Sequence, residues 1–267
     1  YYYYNNNTNW SSSYTPSKFP SNFPPNFPLH IPVNFTDYRN WAGEIHKESW
    51  IAYPENSDQI LELTNWARHH GFKVRPSGSK HTWAPLTIQQ NDYPSEMVLV
   101  IDTTRHLTKM KVISTQPGHS VFWAETGIKF FEVLEKLEES NLGIGSFPNV
   151  KGPTLGGILA VGGRGVGSYG ANESSPPDHS FGSVSNLVIS LTAVVYNPVF
   201  DSYVLQEFHR SHPEAKAFLV HLGRAFITNV TMRAGPLLNY TLNSRADFKP
   251  EIFFGPPAGT AQTPPPE

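Results

Sequence analysis

The chain has 267 residues, 39% of them hydrophobic, which is enough for one large domain or two small ones with a real core. Its formal net charge of −2 gives no electrostatic reason to expect nucleic-acid binding. No apolar run approaches the roughly 20 residues that cross a bilayer. The absence of cysteine excludes disulfides, thiolate nucleophiles, zinc–thiolate sites and iron–sulfur ligation in this chain.

The sequence leaves the cellular compartment open. Six Asn-X-Ser/Thr triplets would permit N-glycosylation in a secreted protein, although an asparagine-rich chain also produces such triplets by chance. They begin at Asn6, Asn9, Asn34, Asn172, Asn229 and Asn239. The chain does not start with methionine and shows no signal peptide, so we expect either a processed N-terminus or a partial sequence.

The N-terminal 39 residues predict a disordered segment. Homopolymer runs of tyrosine, asparagine and serine occupy residues 1–13, and proline recurs every few residues between Pro16 and Pro28. Such low-complexity sequence buries too little apolar surface to offset the entropy lost on ordering. Folded patterning is expected from residue 40.

Residues 40–143 predict strands that alternate with two helices. Asn56 and Gln59 form a capping pair for a first helix, which ends at Gly71. A second helix opens after Gly127 and presents Phe130, Leu134 and Leu137 on one face. Strands are predicted at residues 50–53, 72–75, 97–101 and 121–125.

The second half predicts a lobe that is mostly β. Residues 152–182 form a long loop rich in glycine and serine, and a short helix is expected at residues 213–222. Strands are predicted at residues 187–196, 203–208 and 226–233. Because no uniform βαβ repeat is present, the pattern predicts a two-lobed α+β domain over residues 40–233. Residues 234–267 are a frayed tail or the start of a further region, since a strand-like run at 237–242 has no partner downstream.

Two glycine-containing loops are the candidate binding elements. The first, residues 75–83, follows a predicted strand directly, and its backbone N–H groups could converge on an anion around Gly78. Arg75 or Lys80 could offset phosphate charge, although a solvated β-turn explains the same residues. The second loop, residues 152–170, allows close approach of a planar ligand or a diphosphate. Its apolar segment at residues 158–161 argues against a plain surface loop.

The dinucleotide pattern G-x-G-x-x-G occurs at residues 165–170 but does not indicate a Rossmann fold. Two prolines between Asn172 and Asp178 prevent the helix that should follow. The sequence also lacks the G-x-S-x-G motif of serine hydrolases. No set of histidines has the spacing of a metal site, so no metal is expected.

His81 is the candidate reactive residue of the first loop. A neutral imidazole is a competent nucleophile, and its pKa lies near neutrality. A hydrogen-bonded structural histidine is the alternative interpretation of any single histidine.

Five segments taken together resemble the vanillyl-alcohol oxidase family of PCMH-type FAD-binding flavoproteins, and in particular its covalent-flavin cholesterol oxidases. The segments are residues 40–45, 75–86, 154–157, 185–195 and 222–228. The resemblance spans about residues 41–233 and implies a two-lobed FAD-binding domain. The family's cap domain, which holds the substrate and the catalytic acid and base, would begin about where this chain ends. The catalytic residues therefore remain unknown, and we expect a partial chain.

The resemblance also implies roles for individual residues. The diphosphate of FAD would lie on the backbone of the first loop, and His81 would bond covalently to the flavin 8α-methyl carbon. The other side of the cofactor would meet the second loop, and the adenine half would meet a strand near residue 227. The implied cofactor-binding residues are Pro76, Ser77, Gly78, Ser79, Lys80, His81, Leu86, Thr154, Gly156, Gly157, Gly163, Gly165, Gly167, Ile227 and Thr228.

The function implied by the resemblance is oxidation of an alcohol, with a sterol as one candidate. Hydride passes from the alcohol carbon to flavin, and oxygen then takes the electrons and becomes hydrogen peroxide. Two alternatives stay open: a sugar or lactone oxidase of the same family, and a flavin-binding fragment without turnover.

Overall fold

The computed structural model describes residues 24–88, 97–165, 167, 174, 176–239 and 246–254. Residues up to Leu237 form one compact unit, and the chain from Leu238 onward forms a second. The second unit contains the short helix α4, Pro250–Phe254. No helix within the described ranges is long and apolar enough to cross a membrane.

The first lobe is built on a four-stranded mixed sheet. Its strands are β1 (Val33–Arg39), β2 (His46–Ala52), β3 (Lys73–Ser77) and β4 (Val98–Asp102). The sheet order is β1-β2-β4-β3, in which β1 and β2 are antiparallel while β2 and β3 both run parallel to β4. Helix α1 (Ser57–His69) provides the crossover from β2 to β3.

The predicted capping pair of α1 is confirmed. Asn56 Oδ1 accepts a hydrogen bond from Gln59 N at 3.0 Å, and Gln59 Oε1 accepts one from Glu55 N at 2.7 Å. Together these bonds satisfy backbone N–H groups that a helix start leaves without partners. Gly71 follows the helix with a φ of +73°, the left-handed conformation that glycine adopts without steric cost.

Strand β1 corrects the predicted boundary at residue 40. The sequence predicts disorder up to residue 39, yet Val33–Arg39 pair with β2 along their full length, and Phe27, Ile31 and Tyr38 are buried. The prediction averaged composition over the whole segment and so missed a local set of apolar residues. These residues are buried against β2 and α1. The homopolymer runs at residues 1–13 lie outside the described residues.

The second lobe is a five-stranded antiparallel sheet with two helices against it. Its strands are β5 (Met110–Ser114), β6 (Val121–Glu125), β8 (Val188–Asn197), β9 (Ser202–His209) and β10 (Phe226–Arg233), in the order β5-β6-β10-β8-β9. The helices are α2 (Phe130–Glu138) and α3 (Leu155–Ala160). Short strands β7 (Leu142–Gly143) and β11 (Gly235–Pro236) pair with each other. The division into an α/β lobe and a mostly β lobe confirms the α+β class.

Three local predictions need correction, and one strand was not predicted. The expected loop at residues 152–182 contains α3, because Thr154 caps a short turn whose Leu155, Ile158 and Leu159 are buried. The expected helix at residues 213–222 is a 3-10 helix at Pro213–Phe218. Strand β5 has no counterpart among the predictions. The run at 237–242 shows no strand at residues 237–239, and the rest of it lies outside the described residues.

One of the hydrophobic clusters contains residues of both lobes. Val194 and Phe226 of the five-stranded sheet are buried in the same cluster as Ile60 and Leu63 of α1. Asn65 of α1 adds a polar connection to β9, which is described in the Discussion. The ends of both sheets are therefore held close together, which is where the candidate site lies.

The glycosylation triplet at Asn229 lies in β10, the central strand of its sheet. Its Oδ1 accepts a hydrogen bond from Trp123 Nε1 at 3.1 Å, so this side chain is engaged inside the folded domain. Asn34 lies in β1. The triplets at Asn6, Asn9 and Asn172 begin outside the described residues.

Candidate functional site

A cleft of about 270 Å³ lies where the loop after β3 meets α3 and the start of β10. One water molecule needs only about 10–15 Å³, so the cleft accommodates a ligand many times larger. Twelve of the fifteen residues predicted to bind a cofactor line it. They are Pro76, Ser77, Gly78, Ser79, Lys80, His81, Leu86, Thr154, Gly156, Gly157, Gly163 and Ile227.

The loop after β3 presents backbone donors to the cleft. Within the described part of the chain, the N–H groups of residues 78–81 donate to no carbonyl or side chain. Lys80 has a φ of +58°, so the chain turns through a left-handed residue at this point. Successive free N–H groups around such a turn form a concave site for an anion. The buried Ser79 Oγ also lacks a hydrogen-bond partner here.

The base of this loop is fixed to the end of β4. Ser77 O accepts hydrogen bonds from Thr103 N at 3.0 Å and from Thr103 Oγ1 at 3.2 Å. Both residues are buried. The loop is thus pre-organised, because the carbonyl that precedes the free N–H groups cannot rotate without losing two bonds.

The two glycine loops touch each other. A Cβ atom at Gly78 would overlap Thr154 Oγ1 and lie 3.1 Å from Thr154 Cβ. Thr154 in turn caps α3, since its Oγ1 accepts a hydrogen bond from Gly157 N at 3.2 Å. Gly156 N donates to Thr126 O at 2.8 Å, and a Cβ there would lie 2.9 Å from Thr126 Cβ. Glycine is required at both positions: at Gly78 because the first lobe packs on Thr154 of the second, and at Gly156 because α3 packs on Thr126 within the second lobe.

His81 lies between an indole ring and the second glycine loop. Its imidazole stacks on Trp41 with ring centroids 4.9 Å apart and an interplanar angle of 20°. On the other side, a Cβ at Gly152 would lie 3.6 Å from His81 Cδ2. The residue is half-buried and lines the cleft, where a planar ligand could reach it.

The charged residues of the first loop differ in their placement. The Lys80 ammonium lies 5.3 Å from the centroid of the Tyr38 ring, in a cation–π arrangement. Arg75 Nη1 donates to Val74 O at 3.2 Å, and Arg75 does not line the described cleft. No carboxylate is among the described lining residues, so nothing there would repel an anionic ligand.

His221 is a lining residue that the sequence does not indicate. Its Nδ1 accepts a hydrogen bond from Ala225 N at 3.3 Å, which places the imidazole proton on Nε2. Nε2 is buried and has no partner in the described structure. Burial lowers the pKa of His221 to about 4, so the ring is a neutral donor at physiological pH. His221 belongs to no motif, although it directly precedes the segment at residues 222–228.

Thr126 and Thr103 are further lining residues without a prediction. The signal that could have found them is Gly127, two residues after the end of β6. A Cβ at Gly127 would overlap Thr103 O, so the two strand ends need glycine at this crossing. A lone glycine after a strand is a weak sequence signal for such a close approach.

Three predicted binding residues do not line the described cleft. Gly165 packs on Ser146 and Phe147, and Gly167 packs on the Phe181 ring. Thr228 is fully buried, and its carbonyl accepts a hydrogen bond from Thr126 N at 3.0 Å. Their part in cofactor binding stays a prediction. The rejected dinucleotide pattern at residues 165–170 lies mostly outside the described residues.

Part of the chain matches a known FAD-binding domain, and its fold matches a solved oxidase structure. Residues 49–175 match the family model described as an FAD binding domain. The crystal structure of cholesterol oxidase from B. sterolicum superposes with a TM-score of 0.76 at 36% identity, covering 80% of this chain and 39% of that chain.

Curated relatives are lactone oxidases. D-arabinono-1,4-lactone oxidase from Candida albicans is 27% identical over 222 residues, which are 79% of this chain and 36% of the relative. L-gulonolactone oxidase 3 from Arabidopsis thaliana is 26% identical over 133 residues, which are 49% of this chain and 21% of the relative. The chain thus spans less than half the length of these proteins.

The residues present fit the cofactor of this fold. Free backbone N–H groups suit a diphosphate, glycines without side chains line the cleft, and the buried Ser79 Oγ and His221 Nε2 lack partners within the described chain. These features occur together in one cleft of the fold shared with cholesterol oxidase. The chain therefore has the PCMH-type FAD-binding fold, and FAD is its cofactor.

Proposed function

We propose that this chain is the FAD-binding part of an oxidase that takes hydride from a carbon bearing a hydroxyl group and delivers the electrons to oxygen. The observation that carries the proposal is the meeting of Gly78 with Thr154 beside a row of free backbone N–H groups. The relatives named above support it, because their names describe oxidases. When bound, flavin supplies the redox chemistry: it accepts hydride and passes two electrons to oxygen, which becomes hydrogen peroxide.

The first loop binds the diphosphate in this proposal. The free N–H groups of residues 78–81 and the Ser79 hydroxyl donate to phosphate oxygens. The described lining residues include no carboxylate, so the diphosphate meets no negative side chain there. Recognition through backbone amides also explains why Gly78 and the left-handed Lys80 matter more than a positive side chain.

The remaining lining residues hold the two ends of FAD. Gly156, Gly157 and Gly163 form a backbone wall on the side of α3. Ile227 is the predicted neighbour of the adenine half, as is Thr228 behind it. His81, which also lines the cleft, is the proposed neighbour of the isoalloxazine.

We further propose that His81 attaches covalently to the 8α carbon of the flavin. Bond formation between an imidazole nitrogen and that carbon releases one proton from the methyl group and one from the imidazole N–H. Two electrons stay on the cofactor, and oxygen removes them as hydrogen peroxide. A neutral imidazole is required, because the protonated ring has no lone pair to donate.

Purification tests the cofactor assignment directly. The protein, incubated with FAD and then desalted, should be yellow and show flavin absorbance near one equivalent. After denaturing electrophoresis, flavin fluorescence should stay with the wild-type polypeptide and be lost from a His81→Ala variant that still binds FAD. A colourless protein after FAD incubation would contradict FAD binding, whereas flavin released from the wild type on denaturation would contradict only the covalent bond.

The substrate has two candidate classes. The cholesterol oxidase structure favours a sterol, and the curated relatives favour a sugar lactone. Peroxide release should be measured with cholesterol and with D-arabinono-1,4-lactone in parallel, using His81→Ala as the matched variant. Release with neither compound would favour the alternative of a flavin-binding chain without turnover.

A further inference from the structure

The loop between β1 and β2 packs directly on the segment that carries His81. Trp41 N donates a hydrogen bond to Lys80 O at 2.8 Å, and Asn40 Nδ2 donates to Thr82 O at 3.0 Å. The two residues on either side of His81 are therefore each held by one of two consecutive residues from another element. This arrangement fixes the backbone of residue 81 without using any atom of its side chain.

Asn40 is itself rigidly held. Its side chain is 3% exposed, and its Oδ1 accepts a hydrogen bond from Ile45 N at 2.9 Å. Its backbone N donates to Ile45 O, also at 2.9 Å. The Asn40 amide thus donates to Thr82 O through its nitrogen and accepts from Ile45 N through its oxygen. The second bond also closes the β1–β2 loop.

Trp41 holds the imidazole ring. The indole lies nearly parallel to the imidazole, although Trp41 as a whole is 63% exposed. An indole this exposed adds little to the hydrophobic core, so its ring contacts with His81 and Trp83 are its main packing partners. Stacking of this kind restricts the imidazole to one plane.

We propose that Asn40 and Trp41 are positioning residues that orient the His81 imidazole toward the flavin. The inference rests on the proposed covalent attachment, and it assigns to residues outside the cleft the control of how readily that bond forms. Asn40 fixes the backbone position from which the His81 side chain extends, through its hydrogen bond to Thr82 O. Trp41 fixes the plane of the imidazole ring. A ring that rotates freely about its side-chain torsions spends only part of its time in the reactive orientation, so the rate of attachment falls.

The test compares three single variants of the full chain with the wild type. Trp41→Ala removes the stacking ring, Trp41→Phe keeps an aromatic face, and Trp83→Ala is the matched control. Trp83 is 61% exposed, lies two residues from His81, and makes its described ring contact with Trp41. The rate of covalent attachment is followed at saturating FAD by the fluorescence that stays with the denatured polypeptide. The affinity for FAD is measured in the same variants carrying His81→Ala, which removes the covalent step.

We expect Trp41→Ala to slow attachment about five- to tenfold while the FAD affinity stays within twofold. Trp41→Phe should recover most of the rate, and Trp83→Ala should change it less than twofold. A merely structural role for Trp41 would lower FAD affinity and attachment together. The proposal is overturned if Trp41→Ala attaches flavin at the wild-type rate, or if Trp83→Ala is equally slow.

A second measurement separates failure of this inference from failure of the covalent proposal. The ring protons of His81, assigned by comparison with His81→Ala, should show an upfield ring-current shift in the NMR spectrum that Trp41→Ala abolishes. If wild-type protein forms no covalent bond but the shift is present, the covalent proposal fails, while the stack that fixes the ring plane stands. If the shift is absent from the wild type, the positioning role is wrong whatever the flavin does.

Discussion

Gly78 lies so close to Thr154 that a single methyl group at position 78 would overlap the threonine hydroxyl. The two residues come from different lobes, and the cleft begins where they meet. Thr154 is buried and also caps α3, so it cannot move away without exposing the N–H groups at the helix start. This contact makes Gly78 a position where size, rather than polarity, decides whether the site forms.

Gly78→Ala should weaken FAD binding by about five- to 150-fold. The added Cβ forces the two loops apart, at a cost of about 1–3 kcal/mol for overpacking. Flavin fluorescence quenching during titration with FAD gives the affinity. Gly143→Ala is the matched control, because a Cβ there would meet Leu237 Cδ1 at an ordinary 3.5 Å. Equal affinities for Gly78→Ala and the wild type would show that the loops do not touch as described.

Thr154→Ala should destabilise the protein by about 1 kcal/mol, because the cap of α3 is lost. Thr154→Ser keeps the Oγ that accepts from Gly157 N and should be close to wild type. Urea denaturation of the cofactor-free chain measures both. The double variant Gly78→Ala with Thr154→Ala should bind FAD more tightly than Gly78→Ala alone, since the hydroxyl that the new methyl would overlap is gone. If the effects of Gly78→Ala and Thr154→Ala on FAD affinity simply add, the two residues are not in contact.

His221 should make the cofactor-free protein sensitive to acid. Burial lowers the pKa of this imidazole from its ordinary 6.5 to about 4, so between these values the unfolded state binds a proton that the folded state does not. Stability therefore rises with pH through this window, is complete above pH 6.5, and is lost as pH falls toward 4. The loss attributable to His221 is about 2–3 kcal/mol at most.

The measurement is the free energy of unfolding at pH 7 and at pH 4.5, for the wild type and for His221→Gln. Glutamine keeps a polar side chain that does not titrate, so the variant should lose less stability on acidification than the wild type. Identical losses in the two proteins would show that His221 is not buried as described.

The Asn65 side chain should contribute about 1–3 kcal/mol to the free energy of unfolding. Its amide pairs with the backbone of the edge strand β9. Its Nδ2 donates to Tyr203 O at 3.0 Å, and its Oδ1 accepts from Tyr203 N at 2.8 Å, as a neighbouring strand would. Asn65→Ala leaves both backbone groups of Tyr203 without these partners, and denaturant unfolding should show a lower midpoint with an unchanged slope. Glu62→Ala is the control on the same helix, since its ion pair with His30 is half exposed and contributes little. A change in Asn65→Ala no larger than that of Glu62→Ala would contradict the bridging role.

Much of the fold was predictable wherever short-range rules act. Phe226–Arg233 has the bounds that its hydrophobic pattern predicts, and Asn56 with Gln59 caps α1 as the spacing indicates. Strand β1 was not predictable from composition, because its burial depends on β2 and α1 covering it. Helix α3 was hidden among glycines, since its stability comes from the Thr154 cap and from packing of Leu155 rather than from helix propensity.

By itself, the sequence determined the chemistry of the two loops: glycines where backbone must approach a ligand, a histidine beside the first loop, and no cysteine for any competing thiolate or iron–sulfur chemistry. Only the tertiary structure decided that Gly78 meets Thr154, that Asn40 and Trp41 hold the segment around His81, and that the cleft residue His221 keeps a buried donor without a described partner. The physical reason is that such contacts join residues far apart in the chain. Local preferences set the conformation of each segment, but only the packing of the two lobes brings the segments together.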